Sequence, residues 1–183
     1  MAIDATVSGT DSNSYHTVAT AQAYFDTRLH CDDWTNATAG DKEKALLQAC
    51  RIIDSYCLWL GIKTVTAQAL EWPRRGICHD GNIYYEYNDS IYEYGSFGEG
   101  QWVLASDAIP QQILDGQCEL ALVLLGDDTQ SDALLDSLNI AGIKIDLSSK
   151  SKGNVIIPSA VWSIMAPLGR LRGASGTVKL LRC

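Results

Sequence analysis

The chain has 183 residues, of which 46% are hydrophobic and 20% are charged, and its formal net charge is −8. This length and apolar content fit one globular domain, and no apolar run approaches the roughly 20 residues that span a bilayer. The first residues lack the basic start and apolar stretch of a signal peptide, so we expect a cytoplasmic protein.

Charge is distributed unevenly along the chain. Residues 147–183 contain six bases and no acid, whereas residues 1–146 hold eight bases against 22 acids, a balance of −14. A strongly acidic body repels the phosphates of a nucleic acid. The sum therefore predicts that residues 1–146 do not bind DNA, and that the basic C-terminal end meets a different partner.

The first two helices are predicted from capping signals and apolar periodicity. Thr17 is a plausible N-cap for a helix over Val18–Leu29, whose apolar stripe ends with Leu29. The spacing from Thr38 to Asp41 is that of a capping box and begins a second helix, which runs to about Leu60. Gly61 follows where a residue with left-handed backbone ends many helices.

A third helix is expected to form the centre of the core. Pro110 suits its first position, and the stripe that follows is apolar nearly all round by Leu125, which is typical of a buried helix. Gly116 is unfavourable in such a helix, so it predicts the close approach of a neighbouring element. The three helices together predict one compact helical body.

Residues between Ile77 and Ala105 have a different composition, rich in tyrosine and acid. The runs Ile83–Tyr87 and Ile91–Tyr94 are β-prone and predict a hairpin with a three-residue turn, Asn88 to Ser90. Two strands alone are marginal in water. The hairpin is therefore either an interface element or a decorated surface loop. Its candidate contact residues are Tyr85, Tyr87, Tyr92 and Tyr94.

The C-terminal end is expected to be a separate unit. The predicted division is a body of residues 1–147, with an insertion at 77–105, and a docking segment of residues 148–183. Pro158 begins a short helix over Ser159–Leu168, which Pro167 ends or kinks. The helix is too short to be stable alone, and the tail after it is Gly-rich and basic, so both call for a partner. The candidate docking residues are Val161, Trp162, Met165, Arg170, Arg172, Lys179, Leu180, Leu181 and Arg182.

Catalytic, metal and cofactor motifs are not found in the sequence. None of the three histidines lies in a nucleophile or metal-ligand motif, and Cys50, Cys57 and Cys118 are expected to be small buried hydrophobes. We therefore expect no enzyme activity, no metal and no cofactor. Arg74-Arg75 after Trp72-Pro73 is the sharpest charged feature. It is either a solvated turn beside a buried Trp72 or an ion pair with acids of a neighbouring subunit.

Several short motifs in order resemble the tailed-phage head–tail connector (adaptor) family, whose relatives are often labelled DnaT-like or single-stranded-DNA-binding-like. They are Ser14-Tyr15-His16-Thr17 with Tyr24-Phe25, Asp41-Lys42-Glu43, Leu70-Glu71-Trp72-Pro73-Arg74 with Gly76, Asp107-Ala108-Ile109-Pro110, Glu119-Leu120-Ala121, and Ile157-Pro158 with Ala166-Pro167-Leu168. Together they span nearly the whole chain. The tyrosine-rich segment is longer than the family pattern.

The resemblance implies a structural virion protein, made in the host cytoplasm and located in the phage neck. It would form a homo-oligomeric ring of about twelve copies that joins the portal protein to the next neck or tail-completion protein. Double-stranded DNA would pass through without sequence-specific binding, and no membrane is involved. The expected fold is mainly α, a three- to four-helix body with a small β-hairpin element and an extended C-terminal tail. The alternative is a single-stranded-DNA-binding, primosome-like module, which requires a basic surface; a small enzyme comes third.

Overall fold

The computed structural model describes residues 2–77, 104–126 and 157–172 in full, and it gives the backbone pairing of two further strand pairs within 85–92 and 139–144. The helices of these residues are α1 (Val18–Phe25), α2 (Asp32–Asn36), α3 (Ala39–Tyr56), α4 (Gln111–Gly126) and α5 (Ser159–Met165). The strands are β1 (Cys57–Trp59), β2 (Ile62–Lys63), β3 (Arg74–Arg75), β4 (Tyr85–Tyr87), β5 (Ser90–Tyr92), β6 (Asn139–Ile140), β7 (Ile143–Lys144) and β8 (Gly169–Leu171). The mainly α fold class is confirmed. Residues 173–183 of the expected tail lie outside the described residues.

The core forms where α3 and α4 pack against each other, with α1 and α5 alongside. Leu46 and Ile53 of α3 meet Ile113 and Leu120 of α4, and all four side chains are fully buried. Gln117 of α4 is buried as well, and its Nε2 donates to the Leu46 carbonyl at 2.9 Å and to Ser14 Oγ at 2.8 Å. The prediction that three helices share one core is confirmed.

The end of α1 differs from the prediction. The helix stops at Phe25, and Leu29, which was expected in its buried stripe, is 81% exposed. Arg28 explains the change of direction, because its guanidinium pairs with Glu119 of α4 and also donates to the carbonyls of Leu29 and His30. The short helix α2 follows and buries Trp34 against the Phe25 ring at a centroid distance of 4.3 Å.

The end of α3 also differs, for a reason that is not local. Thr38 caps α3 as predicted, but the helix ends at Tyr56 rather than near Leu60. Residues 57–59 instead form β1, which pairs antiparallel with β8 over Cys57↔Leu171, Leu58↔Arg170 and Trp59↔Gly169. Gly61 has φ +66, but it lies in the turn between β1 and β2 rather than at a helix end. Pairing with a strand more than 100 residues away overrides the helical periodicity.

Helix α5 belongs to the core rather than to a separate unit. Val161 and Met165 are buried against α4. A Cβ on Gly116 would lie 2.5 Å from Met165 Sδ, so the predicted close approach at this glycine is confirmed. Pro167 lies in a 3₁₀ turn that ends the helix, as expected. The predicted domain boundary at residue 147 lies outside the described residues.

The tyrosine-rich hairpin exists at the level of the backbone. Strand β4 pairs antiparallel with β5, with Tyr85↔Tyr92 and Tyr87↔Ser90 opposite each other. The turn therefore has two residues rather than three, because Ser90 is a strand residue. The tyrosine side chains lie outside the described residues, so the choice between an interface and a surface loop stays open.

Candidate interaction surface

The segment from Leu70 to Ile77 folds around two buried side chains, Trp72 and Arg74. Trp72 is 1% exposed, precedes a cis peptide bond to Pro73, and packs edge-on against Trp59 at 5.6 Å. Gln68 braces the segment, because its Nε2 donates to the carbonyls of Leu70 at 2.9 Å and Pro73 at 3.0 Å. These contacts fix the positions of β2 and β3.

Arg74 has its hydrogen-bond partners inside the chain. Its guanidinium donates to the carbonyls of Leu60 and Gly61, both at 2.7 Å, and to the Glu71 carboxylate at 2.8 Å. Glu71 also pairs with Lys63 at 3.3 Å. The ion pair expected with a neighbouring subunit is therefore made within the chain for Arg74, which is only 9% exposed. The adjacent Arg75 is exposed.

Asp54 of α3 is hydrogen-bonded to the segment from Leu70 to Ile77. Its carboxylate accepts hydrogen bonds from the Tyr15 hydroxyl and from the Glu71 backbone N–H, the latter at 3.1 Å. Burial raises the pKa of Asp54 to about 6, partly offset by these two hydrogen bonds. The carboxyl group faces the interior, so it contributes structure rather than a surface site.

The outer sides of the two small ladders share one pattern. Leu58 lies opposite Arg170 in the β1–β8 ladder, and Ile62 lies opposite Arg75 in the β2–β3 ladder. Residues directly opposite each other point to the same side of a sheet, and all four of these are exposed. Leu58 and Ile62 are four residues apart, so their Cα atoms lie within about 14 Å of each other.

Two more residues extend this surface at the C-terminal end of α3. Tyr56 is 38% exposed, and its carbonyl accepts from the Arg172 backbone N–H at 2.7 Å. The Arg172 side chain is exposed, and its Nε donates to the Cys57 carbonyl at 3.3 Å, which is favourable at a helix C-terminus. We call this surface the β-face; it consists of Tyr56, Leu58, Ile62, Arg75, Arg170 and Arg172.

The charge of the β-face is positive. Its three arginines lie next to Lys63 and Arg74, and the two carboxylates of the same region, Glu71 and Asp54, are engaged as described above. Asp107 lies at the edge, beside Ser106, whose carbonyl accepts a hydrogen bond from Thr64. These basic residues come from β2, β3 and the segment around β8. The net charge of −14 over residues 1–146 therefore does not predict the charge of this surface.

The opposite end of the molecule is acidic. Leu29 is flanked in the chain by Asp26, Asp32 and Asp33, all of which are exposed. This end lies at the C-terminus of α4, because a Cβ on Gly126 would be 3.1 Å from Asp33 Oδ2. Arg28 does not neutralise it, since its guanidinium pairs with Glu119. We call Asp26, Leu29, Asp32 and Asp33 the acidic end.

The residues expected to dock a partner divide into three groups. Val161 and Met165 are buried in the chain's own core, and Trp162 is half-buried with its ring 6.4 Å from that of Trp59. Arg170 and Arg172 are exposed. Outside the described residues lie Lys179, Leu180, Leu181, Arg182 and the side chains of Tyr85, Tyr87, Tyr92 and Tyr94. Only the second group is both described and accessible.

Sequence reasoning did not identify Leu58 and Ile62 as surface residues of strands. It placed Leu58 inside the second helix, and it placed Ile62 just after the predicted end of that helix. The alternating pattern Cys57-Leu58-Trp59, inward, outward and inward, is a β signal, but three residues are too few to outweigh the preceding helical period.

The prediction that Cys50, Cys57 and Cys118 are buried is confirmed. Burial raises the pKa of Cys57 and of Cys118 to about 12, so both remain protonated thiols.

Neither a metal cluster nor a membrane-spanning helix is found in the described residues. No group of three or more His, Cys, Asp or Glu side chains within them is arranged to hold a metal ion. No helix within them is long and apolar enough to cross a bilayer.

Comparison with models of protein families gives a match to the first part of the chain. A family model described as "Putative DnaT-like ssDNA binding protein" matches residues 1–90, just under half of the chain. The matched part includes α1 to α3 and β1 to β3, but not α4, α5 or β8. No curated protein and no solved structure matches the chain.

Proposed function

We propose that the protein is a non-enzymatic module that binds single-stranded DNA through the β-face. The observation that carries the proposal is the repeated pairing of an exposed apolar side chain with an arginine, Leu58 with Arg170 and Ile62 with Arg75. Proteins that bind single strands combine basic side chains that follow the phosphates with aromatic side chains on which the nucleobases stack, and Tyr56 is the exposed aromatic residue of the β-face. The family match over residues 1–90 supports the same proposal.

Single-stranded DNA fits this surface better than a duplex does. In a duplex the base faces are stacked and hidden, so exposed Tyr56, Leu58 and Ile62 would meet only sugar and phosphate. An unpaired strand offers base faces to these side chains and phosphates to the arginines. Because the chain as a whole carries −8, we expect a dissociation constant of about 1–100 μM at low salt, in the range of sequence-independent binding.

Fluorescence anisotropy with a labelled oligothymidylate of about 20 nucleotides tests this proposal. The double variant R75E/R170E reverses two charges on the β-face. Its matched control, K42E/K44E, makes the same charge change at the start of α3, near the acidic end. We expect the first variant to lose binding and the second to keep most of it. The wild-type affinity should fall with salt with a log–log slope of about −2 for three phosphate contacts.

Two results would contradict the proposal. One is equal loss in both variants, which would mean that only the total charge matters. The other is binding that survives R75E/R170E unchanged, which would locate the DNA elsewhere. Circular dichroism of both variants checks that the fold is intact.

A second candidate function is the connector ring of the phage neck. The observation that favours it is that motifs carrying the connector resemblance pack together: Trp59 contacts both Trp72 of the Leu70–Arg74 motif and Trp162, which follows Ile157-Pro158. Light scattering and electron microscopy of the purified chain test this candidate. A ring of about twelve copies would support it, whereas a monomer that binds oligothymidylate would favour the first proposal.

A further inference from the structure

The β-face and the acidic end have complementary chemistry. The β-face presents exposed leucine and isoleucine side chains among arginines, and the acidic end presents Leu29 among three aspartates. Leu29 is 81% exposed, the largest value among the exposed hydrophobic side chains of the described residues. An isolated leucine on a surface is ordinary, but here it lies between charges opposite to those of the other apolar surface.

The two surfaces lie at opposite ends of the same chain. The β-face is at the C-terminal end of α3, whereas α2 and the acidic end lie near its N-terminal end, where Lys42 of α3 sits over the Trp34 ring at 5.2 Å. One molecule therefore cannot bring its own two surfaces together without unfolding α3. Two molecules can, in a head-to-tail arrangement.

We propose that the acidic end of one copy docks on the β-face of a second copy. Leu29 would contact Leu58 and Ile62, while the aspartates would pair with Arg75 and Arg170. The contact is heterologous, so it leaves one unused surface at each end and can continue into a ring or a filament. The inference goes beyond DNA binding and does not depend on it.

A consequence is that self-association and single-stranded DNA compete for the β-face. The aspartates would occupy the positions that phosphates take when DNA is bound. Adding oligothymidylate should therefore dissociate the assembly, and self-association should make the bound fraction of DNA rise less steeply with protein concentration than a simple one-site curve. Leu29 and the nucleobases would compete for Leu58 and Ile62, and the aspartates and the phosphates would compete for the arginines.

Sedimentation velocity at several protein concentrations, with the full chain, tests the proposal. We expect wild-type protein to self-associate, and either D26K/D33K or R75E/R170E to weaken association about tenfold or more, because each variant places like charges opposite one another. L29S removes the apolar contact without changing charge and should weaken association as well. Leu29 is exposed, so L29S should leave the fold intact.

Mixing the two charge variants is the decisive measurement. The lysines of D26K/D33K then face the glutamates of R75E/R170E, and the unchanged acidic end of the second variant faces the unchanged β-face of the first. Equimolar mixing should restore association that neither variant shows alone. A mixture that stays monomeric would overturn the proposal, as would wild-type protein that stays monomeric up to about 100 μM. DNA binding by D26K/D33K should persist, so failure here is distinguishable from failure of the DNA proposal.

Discussion

The two sides of the short β1–β8 and β2–β3 ladders differ in what their residues do. On the inner side, Trp59 and Arg74 have ring contacts and hydrogen bonds within the chain. On the outer side, Leu58 and Arg75 are exposed. Adjacent residues in the chain thus have separate roles, because side chains alternate across a strand. Stability and binding should therefore separate cleanly between neighbouring positions.

The largest expected effect is on the inner side. Trp72→Ala should lower the free energy of unfolding by about 3–5 kcal/mol, because the ring is 1% exposed and packs on Trp59. Urea denaturation measures the change. Leu58→Ala on the outer side is the comparison, and it should cost no more than about 0.5 kcal/mol. Similar losses for the two variants would mean that the ladders do not have distinct sides.

The two neighbouring arginines provide the next contrast. Arg74→Ala leaves the Leu60 and Gly61 carbonyls and the Glu71 carboxylate without this donor, which should cost about 2–4 kcal/mol. Arg75→Ala should cost less than about 1 kcal/mol, since exposed charges contribute little to stability. DNA affinity should instead fall more for Arg75→Ala than for Arg74→Ala, when both are measured at a temperature where Arg74→Ala remains folded.

The buried carboxyl group of Asp54 makes the stability of the fold depend on pH. Burial raises its pKa from an ordinary 3.8 to about 6, so between these values the folded state holds a proton that the unfolded state has lost. This group therefore stabilises the fold below pH 3.8, and the contribution disappears as the pH rises through 6, by about 2–3 kcal/mol in all. Carboxyl carbon shifts measured by NMR should show a midpoint near 6 for Asp54. A midpoint near 4 would show that the group is open to solvent.

The sequence was sufficient for elements whose signals are local. Thr38 caps the second helix as expected, and Gly116 correctly indicated the close approach of a neighbouring element, which the structure identifies as α5. It failed where distant segments meet. The end of α3 depends on pairing with β8, and the basic surface depends on Arg75 and Arg170 coming together across almost 100 residues. Summed charge gives no information about such a juxtaposition, because it ignores position.

The C-terminal segment shows the same limit. Its apolar stripe correctly indicated a helix that needs a partner, but the partner of Val161 and Met165 is α4 of the same chain. Deleting residues 169–183 would also remove β8, the strand that pairs with β1. A truncation at residue 147 would remove both α5 and β8. Point variants on the β-face are therefore better tests of binding than truncations are.

Mapping of amide chemical shifts during an oligothymidylate titration tests the central claim most directly. At a protein concentration where the chain is monomeric, binding at the β-face should shift the amides of residues 56–63, 74–75 and 169–172, and it should leave those of residues 26–33 unchanged. Shifts confined to the acidic end, or no shifts at low salt, would contradict the account.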